Sequence, residues 1–208
     1  MNKKGLLIVV SGPSGAGKGT ICKEVLSRRD DIFVSTSATT REPRKGEVEG
    51  VNYFFITRED FEKKIEEEAF IEYAEVYTNL YGTPKDTVLE KLNKGENILL
   101  EIDIQGALQV KKRYPEGVFI FILPPSMKEL KNRIIGRGSE TPESLERRFS
   151  SAYEEIEFVN QYDYYIINDQ VKKAADLMES IIDAERCKVI EDIEDIVKAF
   201  QKVAYHLL

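Results

Sequence analysis

Short apolar runs alternate along this chain with longer stretches of mixed polar and apolar character. Residues 5–10 (Gly-Leu-Leu-Ile-Val-Val) are wholly apolar and end at Ser11-Gly12-Pro13, which predicts a strand buried on both faces. Segments 97–103, 117–123 and 163–168 read the same way. Helical periodicity fills the intervals: 20–29, 84–93, 127–135, 142–160, 171–185 and 189–203. Thr83 before Pro84 and Thr141 before Pro142 look like N-caps with proline in the first turn, and Ser126-x-x-Glu129 looks like a capping box. Strand and helix in alternation predict an α/β fold, a parallel sheet flanked by helices.

Residues 35–82 break that rhythm. They are polar and turn-rich, with short strands expected at 53–56 and 71–76 and a helix at 59–68, as in an inserted lobe. The arginine-rich segment 133–148 reads as a second, smaller insertion.

Composition narrows the class. The 208 residues suit one domain with insertions, and 42% hydrophobic with 32% charged residues fits a soluble globular chain. No apolar run approaches the roughly 20 residues of a bilayer span. Cys22 and Cys187 lie far apart without zinc-type spacing, so a reducing, cytoplasmic setting is expected. The lone His206 reads as a tail residue, so any enzyme chemistry here needs no histidine base. Thirty Lys plus Arg against 37 Asp plus Glu give −7, which argues against nucleic acid.

The chemistry begins after the first strand. Gly12-Pro13-Ser14-Gly15-Ala16-Gly17-Lys18-Gly19-Thr20 has the form of a phosphate-binding loop between strand and helix. Its glycines let backbone N–H groups cradle phosphate at a helix N-terminus, and Lys18 supplies a cation. The strict motif places Ser or Thr after the lysine as a Mg²⁺ ligand; here Gly19 stands there and Thr20 follows. Mg²⁺ held by nucleotide oxygens and water is therefore expected, with Glu101 or Asp103 as candidate carboxylates. Period-2 alternation puts those two on one face at the carboxyl end of a strand, where ligands of parallel sheets gather. Asp103-x-x-Gly106 also fits GTP-hydrolysing switches, but no N-K-x-D accompanies it.

The insertion carries a recognisable pattern. Thr39-Thr-Arg41-Glu-Pro-Arg44-Lys-Gly-Glu47-Val-Glu-Gly50-Val-Asn-Tyr53-Phe-Phe55-Ile56 resembles the guanylate kinase signature. The likeness continues through Phe70-Ile-Glu72, Tyr81-Gly-Thr83, Asp103-Ile-Gln-Gly106, Pro124-Pro-Ser126 and Gly136-Arg-Gly138, over roughly residues 5–185. It implies a P-loop NTPase-type sheet with a core (5–34, 97–125, 149–184), a GMP-binding lobe (35–96) and a lid (126–148). Residues 185–208 are expected to form a C-terminal helix packed on the core. It further implies phosphoryl transfer from ATP to GMP with Mg²⁺.

By the same resemblance, Arg41, Arg44, Tyr53 and Tyr81 hold the GMP phosphate, and Ser37, Glu72 and Thr83 read guanine, with Asp103 on the base or a metal-bound water. Arg133, Arg137 and Arg148 close over the transferring phosphoryl group, and Asn168 borders the ATP base. The types make sense by themselves. Paired arginines suit a phosphate dianion. Guanine offers N1–H and N2–H₂ as adjacent donors to one carboxylate such as Glu72, and adenine does not; a buried acceptor left unpaired discriminates strongly. A phosphate monoester is largely dianionic at neutral pH, so no general base is required. Plainer readings compete: Glu72 as a surface carboxylate, the tyrosines as packing residues, the lid arginines as solvated helix faces. A kinase for another nucleoside monophosphate and a non-catalytic interaction domain of the same fold are the rival functions. Whether the chain is a monomer or a homo-oligomer stays open.

Overall fold

A computed structural model describes residues 4–44, 46–76, 78–135, 142–189 and 193–204; the side chains of 142–148, 195–196 and 202–204 are outside that description. Five strands form one wholly parallel sheet: β1 (Leu7–Ser11), β2 (Ile32–Val34), β7 (Asn97–Glu101), β8 (Val118–Leu123) and β9 (Tyr164–Ile167), in the order β2-β7-β1-β8-β9. Alternate residues of β1 serve opposite layers. Ile8 and Val10 pack with Ile21 and Val25 of α1 (Lys18–Leu26) and Met178 and Ile182 of α7 (Val171–Arg186). Leu7 and Val9 pack with Val88 and Leu92 of α3 (Lys85–Asn93) and Ala107 and Val110 of α4 (Ile104–Arg113). Burial on both faces is why the central strands β1, β7 and β8 read as unbroken apolar runs, whereas the edge strand β9, expected to be buried in the same way, leaves Tyr165 and Ile167 exposed.

A second sheet, ordered β4-β3-β6-β5, is built from β3 (Ala38–Thr39), β4 (Phe54–Phe55), β5 (Phe70–Val76) and β6 (Asn79–Pro84). It has its own small core, in which Phe61 of α2 (Arg58–Glu66) stacks on Phe70 with ring centroids 4.5 Å apart. The remaining elements are α5 (Met127–Ile135), α6 (Pro142–Ile156), a 3-10 turn (Glu157–Gln161) and α8 (Ile193–Ala204).

Several expectations are corrected. Thr83 caps no helix: β6 continues its antiparallel pairing with β5 through Pro84, which becomes the N-cap of α3. The strand expected to run to Asp103 stops at Glu101, because the Asp103 carboxylate accepts from Gly106 N–H (2.7 Å) and caps α4, a helix the periodicity did not reveal. Period-2 alternation therefore does not reach Asp103. Ser126 does cap α5, accepting from Glu129 N–H (3.1 Å), but the Glu129 side chain turns to Arg133 instead of closing the box. On α8 the described side chains of Ile193, Val197 and Phe200 are exposed. His206 lies outside the described residues.

Candidate active site

The phosphate loop leaves β1 at Ser11 and enters α1 at Lys18. Two of its glycines are dictated by geometry. Gly12 has φ 140° and any Cβ there would strike the Ile122 carbonyl; Gly17 has φ 93° and a Cβ would overlap the Asn168 amide. Lys18 Nζ folds back over the loop, donating to the carbonyls of Gly12 (2.6 Å) and Pro13 (3.4 Å). Burial lowers its pKa, with Glu101, Glu155 and Asp103 pulling it back up. A cleft of about 660 Å³ runs beside the loop between Gly17, Gly19, Thr20, Lys23, Glu101 and Val171.

Gly19 and Glu101 explain each other. A Cβ on Gly19 would lie 3.1 and 3.3 Å from the two carboxylate oxygens of Glu101. The space beside the lysine that the strict motif gives to a hydroxyl is here bordered by a carboxylate. Glu101 and Asp103, expected on one face, diverge: Glu101 borders the phosphate loop, whereas Asp103 sits beside Gly106 and Glu72.

Asn168 and Arg133 meet the loop on its outer side. Asn168 Nδ2 donates to Ala16 O (2.8 Å), and Arg133 donates to Ala16 O (3.3 Å), Asn168 O (2.9 Å) and Glu129 Oε1 (3.0 Å). One residue the sequence reading passed over belongs here. The Glu155 carboxylate of α6 lies beside the Ser14 backbone and Lys18, and burial raises its pKa. Its helical register singled it out from no other acidic residue of α6. Arg137 lies outside the described residues, and Arg148 is placed only by its backbone in α6.

The second sheet presents the other half. Arg41 stacks its guanidinium over Tyr53 (5.5 Å) and Phe55 (5.9 Å), and Tyr53 meets Tyr81 edge to face at 5.9 Å. Glu47 accepts from Arg41 Nη2 (2.9 Å) and from Arg44 N–H (2.7 Å), so one carboxylate fixes the segment bearing both arginines. That hydrogen bond raises the Arg41 pKa. Glu47 lies within the motif, beside the arginines expected to hold the GMP phosphate. The Arg44 side chain is exposed, and Ser37 is half-buried at the turn into β3, accepting from Phe54 N–H through its carbonyl (2.9 Å).

Glu72 is the most unusual group. It is 4% exposed, accepts from Thr83 Oγ1 at 2.6 Å, and has burial as the main reason its pKa is pushed up to about 7. Gly106 faces it so closely that a Cβ there would lie 2.5 Å from Glu72 Oε2. Glu72, Thr83 and Asp103, distant in sequence, thus form one cluster. When ionised, a carboxylate held this way can accept from two further donors lying side by side.

Comparison with known proteins gives a consistent result. The family model described as "Guanylate kinase" matches residues 4–185. A guanylate kinase of Clostridium acetobutylicum is 63% identical over 197 residues, 95% of this chain and 94% of the relative. One from Clostridioides difficile is 59% identical over 200 residues, 96% and 98% of the two chains. Among solved structures, guanylate kinase from Anaplasma phagocytophilum superposes with a TM-score of 0.74 at 36% identity, covering 90% of this chain and 89% of that one.

Proposed function

The chain belongs to the guanylate kinase family, and we propose that the loop and lobe described above divide the two substrates of that reaction between them. It is an ATP-dependent guanylate kinase: the γ-phosphoryl group of ATP passes to GMP, giving ADP and GDP. A phosphate oxygen of GMP forms the new bond to γ-phosphorus while the bond to the β–γ bridging oxygen breaks, and ADP carries away that electron pair.

The observation that carries the assignment of sites is the buried Glu72 carboxylate, paired with Thr83 and facing Gly106 and Asp103. Guanine N1–H and N2–H₂ supply the two donors it lacks, and Ser37 and Asp103 border the same base. Arg41, Arg44, Tyr53 and Tyr81 receive the GMP phosphate. The phosphate loop from Gly12 to Thr20 receives ATP, with Asn168 beside its base. Lys18, Arg41, Arg133, Arg137 and Arg148 neutralise the charge on the transferring group. No side chain needs to take a proton, because the acceptor phosphate is already largely a dianion.

Mg²⁺ fits these residues in a particular way. With a glycine at position 19 and the Glu101 carboxylate beside it, the ion would be held by ATP oxygens and by water donating to Glu101, with Asp103 as the second candidate carboxylate. Bound there, it would neutralise negative charge on the polyphosphate.

The chain divides, in this reading, into a core (5–34, 97–125, 149–184), a GMP-binding lobe (35–96) and a lid (126–148), although Val88 and Leu92 of α3 pack in the central core. A cytoplasmic setting suits its nucleotide substrates and widely spaced cysteines. No described helix is long and apolar enough to cross a membrane. A panel of GMP, AMP, UMP and dTMP with ATP and Mg²⁺ tests the acceptor: GMP is turned over fastest, and faster turnover of any other monophosphate contradicts the assignment.

A further inference from the structure

Glu72 points into the site because strand β5 is irregular at the residue before it. Phe70 pairs with Pro84 and Glu72 with Thr83, so two steps on β5 match a single step on β6, and Ile71 is the extra residue of a β-bulge. In a regular strand Phe70 and Glu72 share a face. The bulge puts them on opposite faces. Phe70 and Tyr73, three residues apart, both pack into the lobe core with Phe61, whereas Ile71 is buried in the central core with Val88, Ala107 and Val110. Without the bulge, Glu72 would be aimed at Phe61 and Phe70.

A bulge leaves backbone groups unpaired, and β5 is also the edge strand of its sheet. Helix α4 supplies the partners. Arg113 Nη1 donates to the carbonyls of Ile71 (3.0 Å) and Phe70 (3.2 Å). The Gln109 amide donates to Tyr73 O (2.8 Å) and accepts from Tyr73 N–H (3.3 Å), so it pairs with the edge as a neighbouring strand would. Two side chains one helical turn apart thus grip the backbone on both sides of Glu72. The same helix begins at Asp103 and Gly106, the groups that face the Glu72 carboxylate.

We propose that Gln109 and Arg113 are specificity-determining positioning residues, which hold the Ile71 bulge so that Glu72 faces the guanine edge of GMP. Neither touches substrate. Each fixes β5 against the helix that completes the base site, and so sets the distance between Glu72 and Gly106. The proposal rests on the guanine-reading role of Glu72.

The test compares Gln109→Leu, Arg113→Met and Arg113→Lys with Glu72→Gln, measuring KM for GMP and for ATP and the ratio of kcat/KM for GMP over IMP, which lacks the 2-amino group. Gln109→Leu and Arg113→Met are expected to raise KM for GMP about tenfold, the equivalent of about 1.4 kcal/mol, and to narrow the GMP:IMP ratio while KM for ATP stays unchanged. Arg113→Lys, which still donates to both carbonyls, retains the wild-type ratio. In a Glu72→Gln background Gln109→Leu adds no further loss of discrimination. Equal changes in both KM values, or an unchanged ratio in Gln109→Leu and Arg113→Met while Glu72→Gln narrows it, overturns the positioning role. An unchanged ratio in Glu72→Gln itself overturns the guanine reading beneath it.

Discussion

Residue identity matters most where one side chain has no substitute, and Lys18 is the first such case. Its half-buried ammonium lies against the Gly12 and Pro13 carbonyls, with the carboxylates of Glu101, Glu155 and Asp103 nearby. In the proposed reaction, arriving ATP phosphates would offer that cation a stronger partner than two carbonyls do. Lys18→Met keeps the length and the packing and removes the charge. Turnover is expected to fall by about 10²–10³-fold with an unchanged circular dichroism spectrum, since one electrostatic contact to developing charge is worth that much. Near-normal turnover would remove Lys18 from the mechanism. Gly19 shows the reverse dependence: its lack of a side chain accommodates the Glu101 carboxylate.

At the scale of elements, the buried parallel strands and most helices were legible because their burial is two-sided or strictly periodic. The helix at Met127–Ile135 matches its expected bounds. Elements defined by partners instead of by their own pattern were not legible. β6 contains Asn79, Gly82 and Pro84, poor strand formers that are held by pairing with β5, and β3 is only two residues long. The Ile71 bulge left no sequence signal, because the run Phe70–Val76 suits a regular strand equally well. The candidate site residues stand out in the sequence chiefly through the family resemblance, whereas Gln109, Arg113 and Glu155 make contacts that no motif announces.

The C-terminus of α2 offers a test at this scale. Glu68 adopts φ 52° there, and Ala69 N–H reaches back to Lys64 O (2.9 Å), an arrangement that favours glycine. Glu68→Gly is expected to stabilise the protein by about 1 kcal/mol, seen as a raised thermal midpoint. A lowered midpoint would contradict that account of the helix end.

For the whole molecule, the net charge of −7 does not describe the surface that a nucleotide meets. Lys18 and Arg133 lie at the phosphate loop and Arg41 at the lobe, while helices such as α2 carry acidic excess elsewhere. Two hydrophobic cores meet along β5, with Phe70 in one, Ile71 in the other, and Glu72 at the joint. The fold thereby places a carboxylate where solvent does not satisfy it. Burial raises its pKa to about 7, so near neutrality the free enzyme holds it partly protonated.

That state gives the most direct measurement of the central claim, GMP affinity by calorimetry between about pH 6 and pH 8 in the wild type and Glu72→Gln. Guanine's donors favour the ionised carboxylate, so binding lowers its pKa and releases a proton. Wild-type affinity is then expected to be flat above about pH 7 and to fall below it, beyond the loss that titration of the GMP phosphate near pH 6 causes in both proteins. Glu72→Gln binds GMP more weakly, keeps only the phosphate-linked loss, and binds ATP as before. Equal GMP affinity and the same pH profile in both proteins would contradict the claim that the buried carboxylate of Glu72 reads guanine.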